Sequence, residues 1–358
     1  MMRRMLLLLA LLAAPTAAAG EDVTIFTAPG TERHVLTLDT ATDLAAFQPL
    51  ILAFQREEPD VTIRYREMVT NTLFERVRQE CADGRRNADL VITSSVDHLV
   101  VLANEGCARA HRSAETLAAP AWTRWRDEIF GFTFEPAVIV YNRALMAREE
   151  VPRTRLALIE LMREQPVRLA GRIGGYDIAR SGIGYLFAAF DARNALVYGR
   201  LIEGFGRLNL VTRCCSGDLI QELAEGRLHL AYNLLGSYAY AAQRQGAPIG
   251  IVLPEDYVLV LSRGAMIPVR GGEPALARRF LDFLLSPRGQ KVVREEAFFF
   301  DVSGAVPEGV EAAAPVLDAG NIRPIVIGPG LLPMQDRARR IRFLREWAKA
   351  IERSPAGE

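Results

Sequence analysis

VLTLDTATDLAAFQPLILAFQREEPDVTIRYREM, residues 35–68, decides the fold. VLTLDT (35–40) has the β-branched, apolar character of a strand. From a cap at Thr42 or Asp43, apolar residues then recur at helical spacing through the proline at 59, and VTIRYREM (61–68) is a second strand. The same rhythm continues outward. TNTLFERVRQECADG is a helix, ADLVITSS a strand, VDHLVVLANEGC another helix. Three successive strand-helix units predict an α/β layer with a mostly parallel sheet. Each strand ends in hydroxyl or acidic residues: Thr40 to Asp43, Val69 to Thr72, and Thr93 to Ser95. In open α/β sheets ligands bind beyond the carboxyl ends of strands, so Thr42, Asp43, Thr70, Thr72, Ser94 and Ser95 are candidate ligand contacts. Helix capping accounts for any one of them alone.

Further along, the pattern changes. Gly131 to Tyr141 is a long extended segment interrupted by Pro136, which a central strand does not tolerate, and IGIVLPEDYVLVLSRGAMIP (249–268) is a second one with its own proline. Both read as crossings between two lobes. The expected division is a first lobe of residues 21–134 and 246–300, a second lobe of 135–245, and a C-terminal segment, 301–358, packing on the second lobe or across both. Its last helix is amphipathic, with Ile341, Phe343, Leu344 and Trp347 on the side expected to be buried.

Residues 1–20 have the layout of a secretory signal peptide: Arg3 and Arg4, an apolar run from Leu6 to Ala14, then Ala17 to Ala19 before Gly20. That run is too short to span a bilayer. The expected location is therefore periplasmic. The 43 Lys and Arg balance 43 Asp and Glu, and losing Arg3 and Arg4 tips the balance slightly acidic. Without a basic stripe a nucleic-acid partner is not expected. Four cysteines in an exported chain invite disulfides. Cys81 and Cys107 end consecutive helical patterns and are expected to pair, whereas adjacent Cys214 and Cys215 fit either a vicinal bridge or two thiols. No ligand spacing links the cysteines to His34, His98, His111 or His229, so no metal is expected on them.

GGYDIARSGIGYLF (174–187) places two small-residue clusters ahead of an apolar helix. It lacks the lysine of a phosphate loop and the third glycine of a dinucleotide fingerprint. What remains is a helix start whose amides, with the Ser181 hydroxyl and Gly182 and Gly184, are able to face an anion, with Arg180 alongside. Hydrolase signatures are missing as well. Acidic residues at apparent strand ends include Asp43, Glu135 and Asp177.

Read together, TDLAAFQPLILAFQREEPDVTIRY, ADLVITSSVDHLVVLANEG, FEPAVIVYN, SGIGYLF, LAYNLLGSYA and ALARRFLDFLLSPRGQ resemble the periplasmic substrate-binding proteins of ABC importers. The likeness is to the ferric-iron-binding group, and to phosphoglycerate-regulatory and phosphonate-binding members. This resemblance implies a two-lobed type II periplasmic binding protein fold, mostly parallel sheets flanked by helices, with an interlobe cleft that closes on a solute. By position it adds Tyr176, Tyr232, Asn233, Ser237 and Tyr238 to the candidate site, beside Glu135. Iron binders of the group use two adjacent tyrosines; here Tyr238 and Tyr240 are separated by Ala239, so iron is the alternative and a phosphorylated or carboxylated organic anion the leading expectation. The resemblance further implies delivery to permease subunits or presentation to a sensor kinase, a monomer, no cofactor, no resident metal and no catalytic residue.

Overall fold

In the computed structural model, residues 22–297, 308–311 and 320–352 are described; the signal-peptide expectation lies outside them. The strand-helix units form where the sequence places them. β2 (His34–Thr40), β3 (Val61–Glu67) and β4 (Leu90–Thr93) lie parallel, in the order β3-β2-β4. α1 (Leu44–Glu57), α2 (Thr70–Ala82) and α3 (Val96–Asn104) follow them in turn. β1 (Asp22–Phe26), β5 (Arg124–Trp125), β6 (Ile129–Gly131) and β13 (Gly264–Met266) complete this first sheet with antiparallel pairs.

The second sheet is built on β7 (Glu135–Asn142). It pairs antiparallel with β10 (Leu230–Leu235), β11 (Ile249–Val252) and β12 (Val258–Leu261). β8 (Ile173–Tyr176) and β9 (Val211–Arg213) extend it in parallel beyond β10, while β14 (Val310–Glu311) and β15 (Ile322–Pro324) add to β11 and β12. Both sheets therefore mix parallel and antiparallel pairs.

Two departures from the expected division follow from this pairing. β11 and β12 belong to the second sheet, and the return to the first comes only at Ser262-Arg263, not near residue 246. Pro136 sits inside β7 rather than between strands, at the second residue, opposite Val260 of β12; a strand start is where a ladder tolerates a missing N–H.

The two linkers run side by side. Phe132 N–H donates to Arg263 O (3.1 Å), Arg263 N–H to Thr133 Oγ1 (2.7 Å), and Thr133 N–H to Ser262 Oγ (3.2 Å). Gly131 admits this approach, because a Cβ there would meet Ser262 Oγ at 2.3 Å.

After the second crossing, α11 (Pro274–Leu285) packs on α4 (Ala114–Ala118) of the first lobe, and α12 (Pro287–Val292) begins at the expected Ser286-Pro287 break. Phe280 and Phe283 of α11 pack on Phe54 of α1, with ring centroids 4.7 and 5.6 Å away. The chain therefore returns to seal the first lobe's core. The second lobe carries α5 (Arg155–Glu164), α6 (Pro166–Leu169), α7 (Gly182–Asn194), α8 (Tyr198–Arg207), α9 (Ser216–Ala224) and α10 (Gly236–Arg244). Among the described residues no helix is long and apolar enough to cross a membrane.

The C-terminal segment lies across both lobes: α13 (Leu332–Gln335) rests on α3 and α14 (Arg337–Ile351) on α8. Phe343, Leu344 and Trp347 pack inward as expected, but Ile341 is exposed, because the α14 contact stripe is narrower than its apolar pattern. Cys81 and Cys107 form the expected disulfide between the end of α2 and the loop after α3. Cys214 and Cys215 are also bonded to each other.

Candidate functional site

The carboxyl ends of strands from both sheets converge on one cleft of about 500 Å³. Ala41 and Asp43 from the β2–α1 loop, Glu67 to Thr70 with Thr72 and Arg76 from β3 and α2, and Ser94 after β4 form the first-lobe wall, with Asp22 beside them. The second-lobe wall is Ile183 of α7, Cys214 to Ser216 between β9 and α9, Leu235, and Tyr238 of α10. Of the expected residues, Asp43, Thr70, Thr72, Ser94 and Tyr238 stand in this lining.

The others stand elsewhere. Thr42 is fully buried; its Oγ1 accepts from Arg263 Nη1 (2.6 Å) and its carbonyl from the Tyr65 hydroxyl (2.5 Å). Glu135 and Ser237 belong to the hinge. Glu135 forms a two-point pair with Arg263, at 3.0 Å for each contact, both side chains wholly buried, and also accepts from Thr133 Oγ1 (2.9 Å) and Ser237 Oγ (2.7 Å). The acid at this strand end is paired with a buried arginine. Tyr232 and Asn233 point into the second lobe, donating to Asp191 Oδ2 at 2.7 and 2.6 Å. The cause is a β-bulge: the β10 register shifts between Ala231 and Leu234, and Asn233 has φ 57°.

The α7 start is closed off in the same way. Ser181 is buried and caps the helix, accepting from Gly184 N–H (3.2 Å), while Gly182 N–H donates across the lobes to Thr70 Oγ1 (2.8 Å). Asn71 Nδ2 adds a second interlobe bond, to Ala179 O (3.0 Å). Ser95 lies against Gly182, and Gly184 against Tyr176. Tyr176 supports the wall from behind, sharing a 2.6 Å hydrogen bond with Ser216 Oγ; burial pushes its phenol up to about 12. The glycines at 182 and 184 therefore admit close packing where the sequence suggested an anion.

Charge in the cleft has three sources. Burial raises the Asp43 carboxyl, with Arg263 opposing and Asp218 adding to the rise, and burial raises Glu67 likewise. The Asp43 side chain does not cap α1 as expected; Glu67 Oε2 accepts from Leu44 N–H instead (2.9 Å), and Asp43 N–H donates to the Tyr238 hydroxyl (3.2 Å). Against these acids stand helix starts without side-chain caps. α2 begins after Val69, α9 after Cys215 and α10 after Leu235, and none of these residues caps with its side chain. Their first-turn amides carry partial positive charge toward the cavity that Thr70, Ser216 and Tyr238 line. Arg76 brings a full charge, shared with Asp39 (3.5 Å) and Glu80 (3.1 Å).

Sequence reasoning missed Arg76, Glu67 and the Cys214 to Ser216 turn. The last follows the same strand-end rule as the first lobe, but β9 is three residues long and escapes periodicity. Among the described residues, the His, Cys or carboxylate donors grouped closely enough for one ion are Cys214, Cys215 and Asp218, two of them tied in the disulfide.

Residues 36–299 match the family of bacterial extracellular solute-binding proteins. The structure is similar to that of the substrate-binding protein of the ABC transporter from Agrobacterium tumefaciens. Identity is 30%, coverage 94% of this chain and 100% of the other, and the TM-score 0.86. Two others at 16% identity share the fold. They are iron-bound HitA from Pseudomonas aeruginosa (88% and 99% covered, TM-score 0.66) and AfuA from Actinobacillus pleuropneumoniae with exogenous fructose-6-phosphate bound (90% and 100%, TM-score 0.69). No curated protein matches the chain.

Proposed function

The chain belongs to the bacterial extracellular solute-binding proteins, as a substrate-binding protein of an ABC transporter, and we propose that its cleft captures a small organic anion, phosphorylated or carboxylated. The observation that carries this reading is the pair of uncapped helix starts, α2 and α9, facing one cavity from opposite lobes. Backbone amides of this kind hold an anion without a large net positive charge. The hydroxyls of Thr70, Thr72, Ser94 and Ser216 complete the polar wall, and burial, by raising the Asp43 and Glu67 carboxyls, disfavours their charged form in the cleft. Met68, Val69, Ile183, Leu235 and the disulfide give the carbon skeleton an apolar surface.

This arrangement favours an organic anion over ferric ion. Tyr238 enters the cleft, but Tyr232 is committed to Asp191 in the second lobe and Tyr240 is not part of the lining. Capture proceeds by closure about the paired linkers at 132–134 and 262–263, a hinge motion, and the closed form is what the permease receives. The protein binds and delivers; no residue is assigned to bond-making.

The test is calorimetry and thermal unfolding against sugar phosphates, phosphonates, dicarboxylates and ferric citrate. A ligand at 100 times its Kd adds about 2.7 kcal/mol of stability. Stabilisation by an organic anion that is weakened in Ser216→Ala and Thr72→Val supports the reading. Stabilisation by ferric citrate alone, or by none of these classes, sinks it.

A further inference from the structure

A disulfide stabilises a fold chiefly by restricting the unfolded chain, and more so when it closes a longer loop. Cys81 and Cys107 are 26 residues apart, and Cys107 is buried in the core. Cys214 and Cys215 are neighbours, so their bond restricts almost none of the chain. It stands instead in the wall of the solute cleft, half-buried, at the turn that delivers β9 into α9. Asp218, in the first turn of α9 and exposed, places Oδ2 3.7 Å from Cys214 Sγ. Both sulfurs and one carboxylate oxygen lie within 4.8 Å of one another.

From this placement we infer that Cys214, Cys215 and Asp218 form a reduction-activated site for a thiophilic divalent cation in the cleft wall. The activating step is thiol–disulfide exchange with a dithiol reductant. One reductant thiolate attacks a sulfur of the pair, the Cys214–Cys215 bond breaks, and a mixed disulfide forms. The second reductant thiolate then closes the reductant's own disulfide. Two electrons and two protons pass to the protein, which is left with two thiols. Binding of the cation displaces those two protons, and thiolate sulfur selects zinc- or cadmium-like ions over magnesium or calcium. The aspartate gives a third donor. The Cys214–Cys215 bond is reached through the cleft, whereas the other bond has one buried residue, Cys107, and one half-buried residue, Cys81, outside the cleft lining. The site stands on sulfur and carboxylate chemistry and holds whatever the solute is.

The experiment uses the full chain and cadmium as probe. The protein is exposed to graded dithiothreitol, desalted without oxygen, and its free thiols are mapped by alkylation and mass spectrometry. Cadmium is then titrated while the thiolate-to-cadmium ultraviolet band is followed. The expected result is that Cys214 and Cys215 open at reductant concentrations that leave Cys81–Cys107 closed, and that one cadmium binds per chain after reduction and none before. Asp218→Asn is expected to weaken cadmium about tenfold, and Cys214→Ser with Cys215→Ser to abolish the band while circular dichroism stays native. The inference is overturned by a reduced wild type without the band, by a band that persists in the double serine variant, by unchanged affinity in Asp218→Asn, or by simultaneous opening of both disulfides.

Discussion

The His98 ring of the first lobe sits against Gly182 of the second so closely that a Cβ at position 182 would lie 2.6 Å from His98 Cε1. The ring is buried and stacks on Phe74 with centroids 4.4 Å apart. A contact this tight forms only when the lobes meet. Gly182→Ala is therefore expected to obstruct closure, at roughly the 1–3 kcal/mol typical of overpacking, or about tenfold to a hundredfold in solute affinity. Small-angle scattering should show a larger radius for the variant in the presence of solute. An unchanged radius and affinity would show that the seat yields freely.

The same ring makes closure depend on pH. Burial lowers the His98 pKa, with Asp97 and Glu75 opposing and Arg340 reinforcing the drop. The neutral ring is thus favoured in the closed form, whereas an imidazole in water titrates near about 6.5. Stability of the closed form is full above that value and is lost as pH falls below it, because opening then takes up a proton. Solute affinity is expected to fall by up to about tenfold per pH unit below roughly 6. His98→Gln should flatten that slope; an equal slope in the variant would assign the effect to another group.

At the hinge, Glu135 and Arg263 are both wholly buried and bonded at two points. Removing one partner leaves a charge stranded. Arg263→Met or Glu135→Leu alone is expected to cost about 3–5 kcal/mol in denaturant unfolding, and the two together much less than the sum. Additive losses would indicate that the ion pair is not the interaction being removed.

The two disulfides are expected to separate in stability measurements. Replacing Cys81 and Cys107 by alanine should cost about 3 kcal/mol, while the same change at Cys214 and Cys215 should cost less than about 1 kcal/mol. Guanidinium midpoints compared at equal slope would decide it; equal losses would mean that the vicinal bridge holds more structure than its loop length allows.

Much of the scaffold was readable from residues 35–107, where strand and helix periods alternate cleanly. The Cys81–Cys107 bridge followed from the ends of α2 and α3. The site was less readable, because a hydroxyl or acid at a strand end looks alike whether it meets a solute, a hinge partner or the other lobe. Glu135 and Ser237 met Arg263's network, and Ser181 met its own helix. Tyr232 and Asn233 were turned inward by a bulge that alternation along LAYNLL does not reveal. The lobe boundary was misplaced because β11 and β12 serve the second sheet before the chain crosses back.

The C-terminal segment straddles both halves of the molecule. The Tyr185 hydroxyl on α7 donates to Met334 O (2.5 Å), and Gln335 Nε2 donates to Asp97 on α3. Apart from the paired linkers, the lobes thus share a further mechanical connection. Like a check-strap on a door, it sets how far the jaws swing before one of those two bonds must part, and so ties the reach of the mouth to residues that never touch the cargo.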